Sequence, residues 1–111
     1  MTMKNYSKAK FYLTNSIRQL EFLLELLTVR VLDKQIISEV NYWVTTLDMI
    51  RSCLYESTDE YYGKINIQDS IREVQSELTN AYHFIFIKLR EQEQSFLANA
   101  WLYCKKAGDE L

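Results

Sequence analysis

The chain has 111 residues, a net charge of −2 and a pI of about 5.4, and 48% of its residues are hydrophobic while 25% are charged. This length fits one domain, and the composition is too apolar for a disordered chain. The acidic pI argues against a nucleic-acid-binding protein, which usually carries a basic stripe and a high pI. Because the sequence has no proline and only two glycines, we expect a few long helices joined by few loops.

Other features of the composition indicate the compartment and the kind of surface. No apolar run reaches the length of about 18 residues that a membrane-spanning helix needs, and the N-terminus lacks a signal pattern, so we expect a cytoplasmic protein. Cys53 and Cys104 are interpreted as buried thiols on helix faces, with a disulfide between them as the alternative. The eight tyrosines exceed what a small core requires and are typical of protein-binding surfaces.

Two apolar seams in the first half predict an antiparallel helical hairpin. The first helix should begin near Asn5 or Ser7. The break before the second helix is expected at Asp33, Lys34 and Gln35, with Asp33 able to cap the new helix. In both helices the apolar residues recur in alternating steps of four and three, which keeps one face directed at a partner helix. The seams are Leu13, Ile17, Leu20, Leu24, Leu27 and Val31 in the first helix, and Ile36, Val40, Trp43, Leu47, Ile50 and Leu54 in the second.

The second half predicts a third helix and leaves its continuity open. Ser70 with Glu73 forms a capping-box signal, with Asn66 as a competing N-cap one turn earlier. The apolar segment 83–89 is interpreted as helix buried on several sides, because a lone strand could not satisfy its backbone. The helical stripe is Ile67, Ile71, Val74, Leu78, Ala81 or Tyr82, Ile85 and Leu89, followed by a last apolar face of Leu97, Ala100, Trp101 and Cys104.

The predicted fold is a single all-α domain over residues 1–111, a bundle of three long helices, or of four if the third helix is broken near 91–95. A continuous helix over 67–106 would be roughly 60 Å long against about 35–40 Å for the first two, and the overhang would favour a dimer. A break would give a compact four-helix bundle instead. Gly108 is predicted to cap the end of the last helix.

Residues for catalysis are scarce in this sequence. His83 is the only histidine, which excludes a two-histidine zinc helix, and Asn80 stands where a ferritin-like di-iron site would need glutamate. Two glycines cannot form a glycine-rich phosphate loop. We therefore predict a protein that is not an enzyme, with no catalytic residues, no cofactor and no metal site.

The segment from Tyr55 to Tyr62 is the predicted binding site. It places three carboxylates and three phenols within eight positions, where the helical periodicity ends. Rigid aromatic side chains supply contact area at low entropic cost, and carboxylates steer a basic partner. The predicted protein-binding residues are Tyr55, Glu56, Asp59, Glu60, Tyr61 and Tyr62. The alternative is a solvated loop whose tyrosines cover the edge of the core.

Part of this segment resembles a motif of the bacterial nuclease-colicin immunity proteins, small acidic helical proteins with Ser-Asp-x-x-Tyr-Tyr after their second helix. The sequence here is Thr58-Asp59-Glu60-Tyr61-Tyr62. Only one residue separates Asp59 from the tyrosine pair, Gly63 stands where that family has proline, and the similarity covers about ten residues. The resemblance implies inhibition by binding, with Asp59, Tyr61 and Tyr62 at the interface.

The sequence thus predicts a non-enzymatic protein-binding module, most specifically an inhibitor or immunity protein that masks a basic toxin or nuclease domain. The alternative is a helical adaptor, a secretion chaperone or a homodimeric structural subunit. A small DNA-associated regulator that uses Lys4, Lys8 and Lys10 is a further alternative.

Overall fold

The computed structural model describes residues 6–30, 34–55 and 67–110, and this part of the chain is helical almost throughout. The helices are α1 (Tyr6–Arg30), α2 (Lys34–Tyr55), α3 (Ile67–Ile85) and α4 (Glu91–Asp109), with a 3₁₀ turn at Phe86–Lys88 between the last two. The described ranges contain no strand, which confirms the all-α prediction. None of the described helices combines the length and the apolar character that crossing a membrane would require.

The four helices alternate in direction around the bundle. Across the α1–α4 interface, the Ser16 hydroxyl donates to the Ala100 carbonyl at 2.7 Å, while the Tyr12 ring stacks on Tyr103. Residues nearer the N-terminus of α1 therefore contact residues nearer the C-terminus of α4, so these helices are antiparallel. The contacts between α3 and α4 have the same sense. Along α2 and α3, residues 35–36 lie near 85–88 and residues 42–43 lie near 77–81, so this pair is antiparallel too and the four helices form an up-down-up-down bundle.

The core follows the predicted seams closely. All six seam residues of α2 are buried, as are the described seam residues of α3. In α1, Leu23 is fully buried where Leu24 was expected, and Leu24 is only partly buried against the core. In α4, Trp101 is half-buried rather than fully enclosed. The remaining buried α1 and α4 residues include Ala9, Leu13, Ile17, Leu20, Leu27, Leu97, Ala100, Cys104 and Ala107.

The predicted break in the third helix is present, at residues 86–90 rather than 91–95. Gln94 Nε2 donates to the carbonyls of Phe86 at 2.8 Å and Leu89 at 3.2 Å. Glu93 Oε1 accepts the Arg90 N–H at 2.8 Å, and the Glu93 side chain is buried. The polar run is therefore the first turn of α4, and its side chains satisfy the backbone groups that the break exposes. One continuous helix is excluded, and the overhang that favoured a dimer is not present.

Three local predictions need correction. Because α3 begins at Ile67, Ser70 lies inside the helix and is not its N-cap. Gly108 lies within α4, where an added Cβ would be 2.9 Å from Gln75 Nε2, so this glycine permits close approach of α3 rather than a cap. The segment 83–89 is not buried on several sides: Phe84 is 71% exposed and Ile87 is 80% exposed. Within this segment the stripe positions Ile85 and Leu89 are buried, and the residues between them lie on the outer side.

Candidate protein-binding site

The described residues leave an open groove between α2 and α3, which pack together less extensively than any other neighbouring pair of helices. The groove has a volume of about 520 Å³. It continues into a recess of about 280 Å³ toward Lys88, because Glu39 and Phe84 line both. We refer to this surface as the α2–α3 groove and define it by Glu39, Tyr42 and Trp43 from α2 together with Glu77, Ala81 and Phe84 from α3.

Aromatic side chains give the groove its apolar character. Trp43 is only 2% exposed, so it belongs to the core and also forms the base of the groove. Tyr42 and Phe84 also line the groove and are 51% and 71% exposed. A fixed aromatic base beside exposed aromatic rings is the arrangement that anchors a protein partner, because burial of such rings removes a large apolar area from water.

Two carboxylates line the same groove without a partner in the described part of the chain. Glu39 on α2 and Glu77 on α3 are both half-buried. Within the described ranges neither makes an ion pair or a hydrogen bond, in contrast to Asp48, which pairs with Arg51. Negative charge that is partly removed from water and not compensated internally attracts a cation from outside.

Two further surfaces surround α4. Between α3 and α4, a recess of about 440 Å³ is lined by Thr79, His83, Trp101 and Leu102 among others. The Trp101 indole is held there because its Nε1–H donates to Thr79 Oγ1 at 2.9 Å and Lys105 Nζ lies 5.6 Å from the ring.

The second surface lies where α1 begins and α4 ends, and it combines aromatic rings with a lysine. Tyr12 and Tyr103 stack with centroids 6.4 Å apart, and Lys106 Nζ is 5.8 Å from each ring. Phe11 packs edge-on against Tyr12 with its centroid 5.7 Å away, and it is largely exposed.

The predicted binding segment lies outside the described residues: Glu56, Asp59, Glu60, Tyr61 and Tyr62 fall in the undescribed range 56–66, and Tyr55 is described only as the last residue of α2. The segment joins the C-terminus of α2 to the N-terminus of α3. Because the helices are antiparallel, both attachment points lie at the end of the bundle that carries Tyr12 and Lys106. The groove lies further along, since α2 rises about 18 Å between Trp43 and Tyr55.

The two cysteines and the histidine differ in how far they are buried. Cys104 is fully buried, and burial raises the pKa of its thiol to about 12, so the thiol stays protonated at neutral pH and is a poor nucleophile. Cys53 is also buried, and the two cysteines do not form a disulfide. His83 is exposed. Among the described residues, no group of three or more His, Cys, Asp or Glu is placed to hold a metal ion.

Sequence analysis missed the groove residues Glu39, Glu77, Tyr42 and Phe84. The sequence does place the two acids and Tyr42 next to seam positions. Glu39 directly precedes Val40, Tyr42 directly precedes Trp43, and Glu77 directly precedes Leu78. Periodicity assigns such residues to the flanks of a helix interface. It gives no distance between helices, so it could not indicate that this interface stays open.

The fold and the groove together define a four-helix bundle with an open interhelical surface. No protein family model matches the chain, and neither the curated proteins nor the solved structures include a significant match to it.

Proposed function

We propose that this chain is a non-enzymatic protein-binding module, most specifically an inhibitor or immunity protein that masks a basic toxin or nuclease domain. The observation that carries the proposal is the pair of half-buried carboxylates, Glu39 and Glu77, beside the exposed rings of Tyr42 and Phe84. Aromatic anchors bordered by uncompensated charge are the features that a protein interface uses for affinity and for selection of its partner.

The energetic scale of the surface fits a specific complex. Full burial of an aromatic side chain the size of Phe84 contributes roughly 1.5–3 kcal/mol, and the aromatic rings of the groove lie close enough to be covered together. Approach of a basic partner is accelerated by the negative groove, and the effect weakens as salt screens the charges. An acidic surface and a basic partner therefore suit fast and selective inhibition.

The segment Tyr55–Tyr62 is the second part of the proposed interface. It supplies three further carboxylates and three phenols between the two helices that form the groove. A partner that covers both would extend along the α2–α3 side of the bundle over a distance of about 18 Å or more. An interface of standard size, about 800 Å² on each partner, has room for both.

A homodimeric or adaptor role is the second candidate. Phe84 and Ile87 are the two most exposed apolar residues at the α3–α4 corner, and a second copy could cover them. Light scattering at micromolar concentration separates the candidates: a monomer supports the inhibitor, and a stable dimer that loses affinity in Ile87→Ser supports the structural subunit.

The proposed function is tested by capturing the cellular partner on the tagged protein, purifying that partner separately and titrating the two by calorimetry. We expect a basic domain, a defined stoichiometry and an affinity that falls as salt rises. The partner's nuclease or toxin activity should disappear at one equivalent of the protein. A captured partner that is acidic, or whose activity continues unchanged in the complex, would contradict the inhibitor function.

A further inference from the structure

We infer that the α2–α3 groove receives a short amphipathic helix of the partner that carries lysine or arginine beside its apolar face. This inference rests on the proposed function and specifies which part of the partner is bound. Three features of the groove support it: its shape, its aromatic base and its charge.

The shape favours a helix. The groove runs between two antiparallel helices, along α2 from Gln35 to Trp43 and from Glu77 on α3 to Lys88 in the 3₁₀ turn. At 1.5 Å per residue these ranges span about 12 Å and about 16 Å, which is two to three helical turns. A third helix laid along two others places its side-chain ridge in the groove between them at the usual spacing of helix packing. The partner's backbone hydrogen bonds would be satisfied within that helix, so the groove need not supply a sheet edge.

The base of the groove sets the apolar positions of the bound helix. Trp43 and Ala81 lie in the main part, where the small alanine side chain leaves room for an inserted apolar residue. Ile36 and Ile85 line the extension toward Lys88, which provides a second apolar position. Two anchors about one or two turns apart correspond to positions i and i+4 or i+7 of an amphipathic helix.

The charge sets the flanks of the bound helix. Glu39 comes from α2 and Glu77 from α3, so a helix lying in the groove has a carboxylate available from each wall. Neither makes an ion pair or a hydrogen bond within the described part of the chain, and Lys88 lines the recess at the far end without pairing with Glu39. A lysine or arginine beside an apolar anchor would supply that missing charge, whereas a glutamate there would be repelled.

The direct test uses a fluorescein-labelled 14-residue helical peptide built from leucine and lysine, with leucines at i, i+4 and i+7. Fluorescence anisotropy measures its affinity for the full-length protein at low and at moderate salt. Two comparison peptides complete the set: one with glutamate in place of lysine, and one with a central proline that prevents a helix. We expect binding of the first peptide alone, weakened by salt.

Variants of the protein then locate the binding. We expect the affinity for the peptide to fall by about tenfold or more in the double variant Glu39→Gln with Glu77→Gln. The single variant Phe84→Ser should lower it by a similar factor, which corresponds to the loss of one favourable interaction. The matched control is Glu21→Gln combined with Glu25→Gln, which removes the same charge from exposed positions on α1. Thermal unfolding of every variant verifies that it folds. Equal weakening by the control variant would show attraction to net charge only and would overturn the inference.

The same variants applied to the captured partner separate this inference from the proposed function. If the groove variants bind the partner with unchanged affinity while Asp59→Ala or Tyr61→Ala weakens it, the inference is wrong and the inhibitor function stands. If the groove variants weaken binding of the peptide and of the partner, the result supports both the helix-binding groove and the inhibitor function. Self-association of the protein that competes with the peptide would assign the groove to a second copy and would contradict the inference.

Discussion

The α1–α4 interface and the α2–α3 interface belong to the same bundle but are built from opposite kinds of residue. Small buried residues (Ala9, Ser16, Ala100 and Ala107) let α1 approach α4 closely, and this pair has the most extensive packing in the bundle. The Ser16 hydroxyl adds a buried hydrogen bond of 2.7 Å to the opposite helix. At the α2–α3 interface, Glu39 and Glu77 line a groove that neither helix fills.

We propose that the α1–α4 interface stabilises the bundle and that the α2–α3 interface binds a partner. Apolar burial and close packing stabilise a fold, and the α1–α4 interface uses both. Half-buried carboxylates without cations contribute little to stability, and exposed rings such as Phe84 leave apolar area in water. We therefore expect substitutions at the two interfaces to affect different measurements, and the predictions below test this separation.

The largest effect is expected for Leu20→Ala. Leu20 is fully buried on α1, so its truncation should lower the free energy of unfolding by about 3 kcal/mol, from lost burial and the cavity left behind. Phe84→Ser is the matched change on the groove side and should cost less than about 0.5 kcal/mol. Urea denaturation measures both. A comparable loss for Phe84→Ser would show that the groove aromatics belong to the stabilising core.

A smaller loss is expected where α4 begins. Glu93→Ala removes the acceptor for the Arg90 N–H and should lower the free energy of unfolding by about 1–2 kcal/mol. Glu93→Gln keeps a side-chain oxygen at this position and serves as the control, with a smaller loss. Guanidinium denaturation followed by circular dichroism distinguishes the two variants. If Glu93→Ala is as stable as the parent protein, the Glu93 side chain does not stabilise the helix break.

Because Cys104 is buried, we expect the stability of the protein to fall at alkaline pH. The pKa of its thiol rises from 9.0 to about 12 because burial penalises the thiolate. Between these values the folded state keeps the proton that the unfolded state loses, so stability is fully present below pH 9 and falls as pH rises toward 12. Thermal melts from pH 8 to 11 should therefore fall more steeply for the parent protein than for Cys104→Ala. Parallel pH profiles would contradict this assignment.

The smallest effect on stability is expected for the double variant with Glu39→Gln and Glu77→Gln. Because neither carboxylate has a partner in the described part of the chain, their neutralisation should change the free energy of unfolding by less than about 0.5 kcal/mol. Chemical denaturation at low salt checks this, because charge effects are largest there. A loss of more than about 1 kcal/mol would mean that the acids stabilise the fold.

Much of the fold could be predicted from periodicity. The α2 seam from Ile36 to Leu54 is buried at every predicted position, because steps of four and three keep one face directed inward. The break was expected in the polar run after Leu89 but lies before it. Side-chain hydrogen bonds from Glu93 and Gln94 to the preceding backbone decide its place, and periodicity carries no information about such bonds.

The candidate site was less accessible to sequence analysis. Charge and aromatic content drew attention to Tyr55–Tyr62, and that prediction stays a prediction because 56–66 lie outside the described residues. The groove depends on how far apart α2 and α3 lie, which no single-helix pattern encodes. Phe84 was assigned to the core because the whole apolar run 83–89 was treated as buried, whereas Phe84 lies in α3 beside the buried stripe of Ala81 and Ile85 and faces outward.

The most direct test is amide hydrogen exchange of the protein with and without the basic partner that we propose, once that partner has been purified. We predict slower exchange on binding in residues 35–43 and 77–88, which form the groove, and unchanged exchange in the middle of α1. Slower exchange confined to α1 and α4, with no change along the groove, would contradict the claim that one interface stabilises the bundle and the other binds its partner.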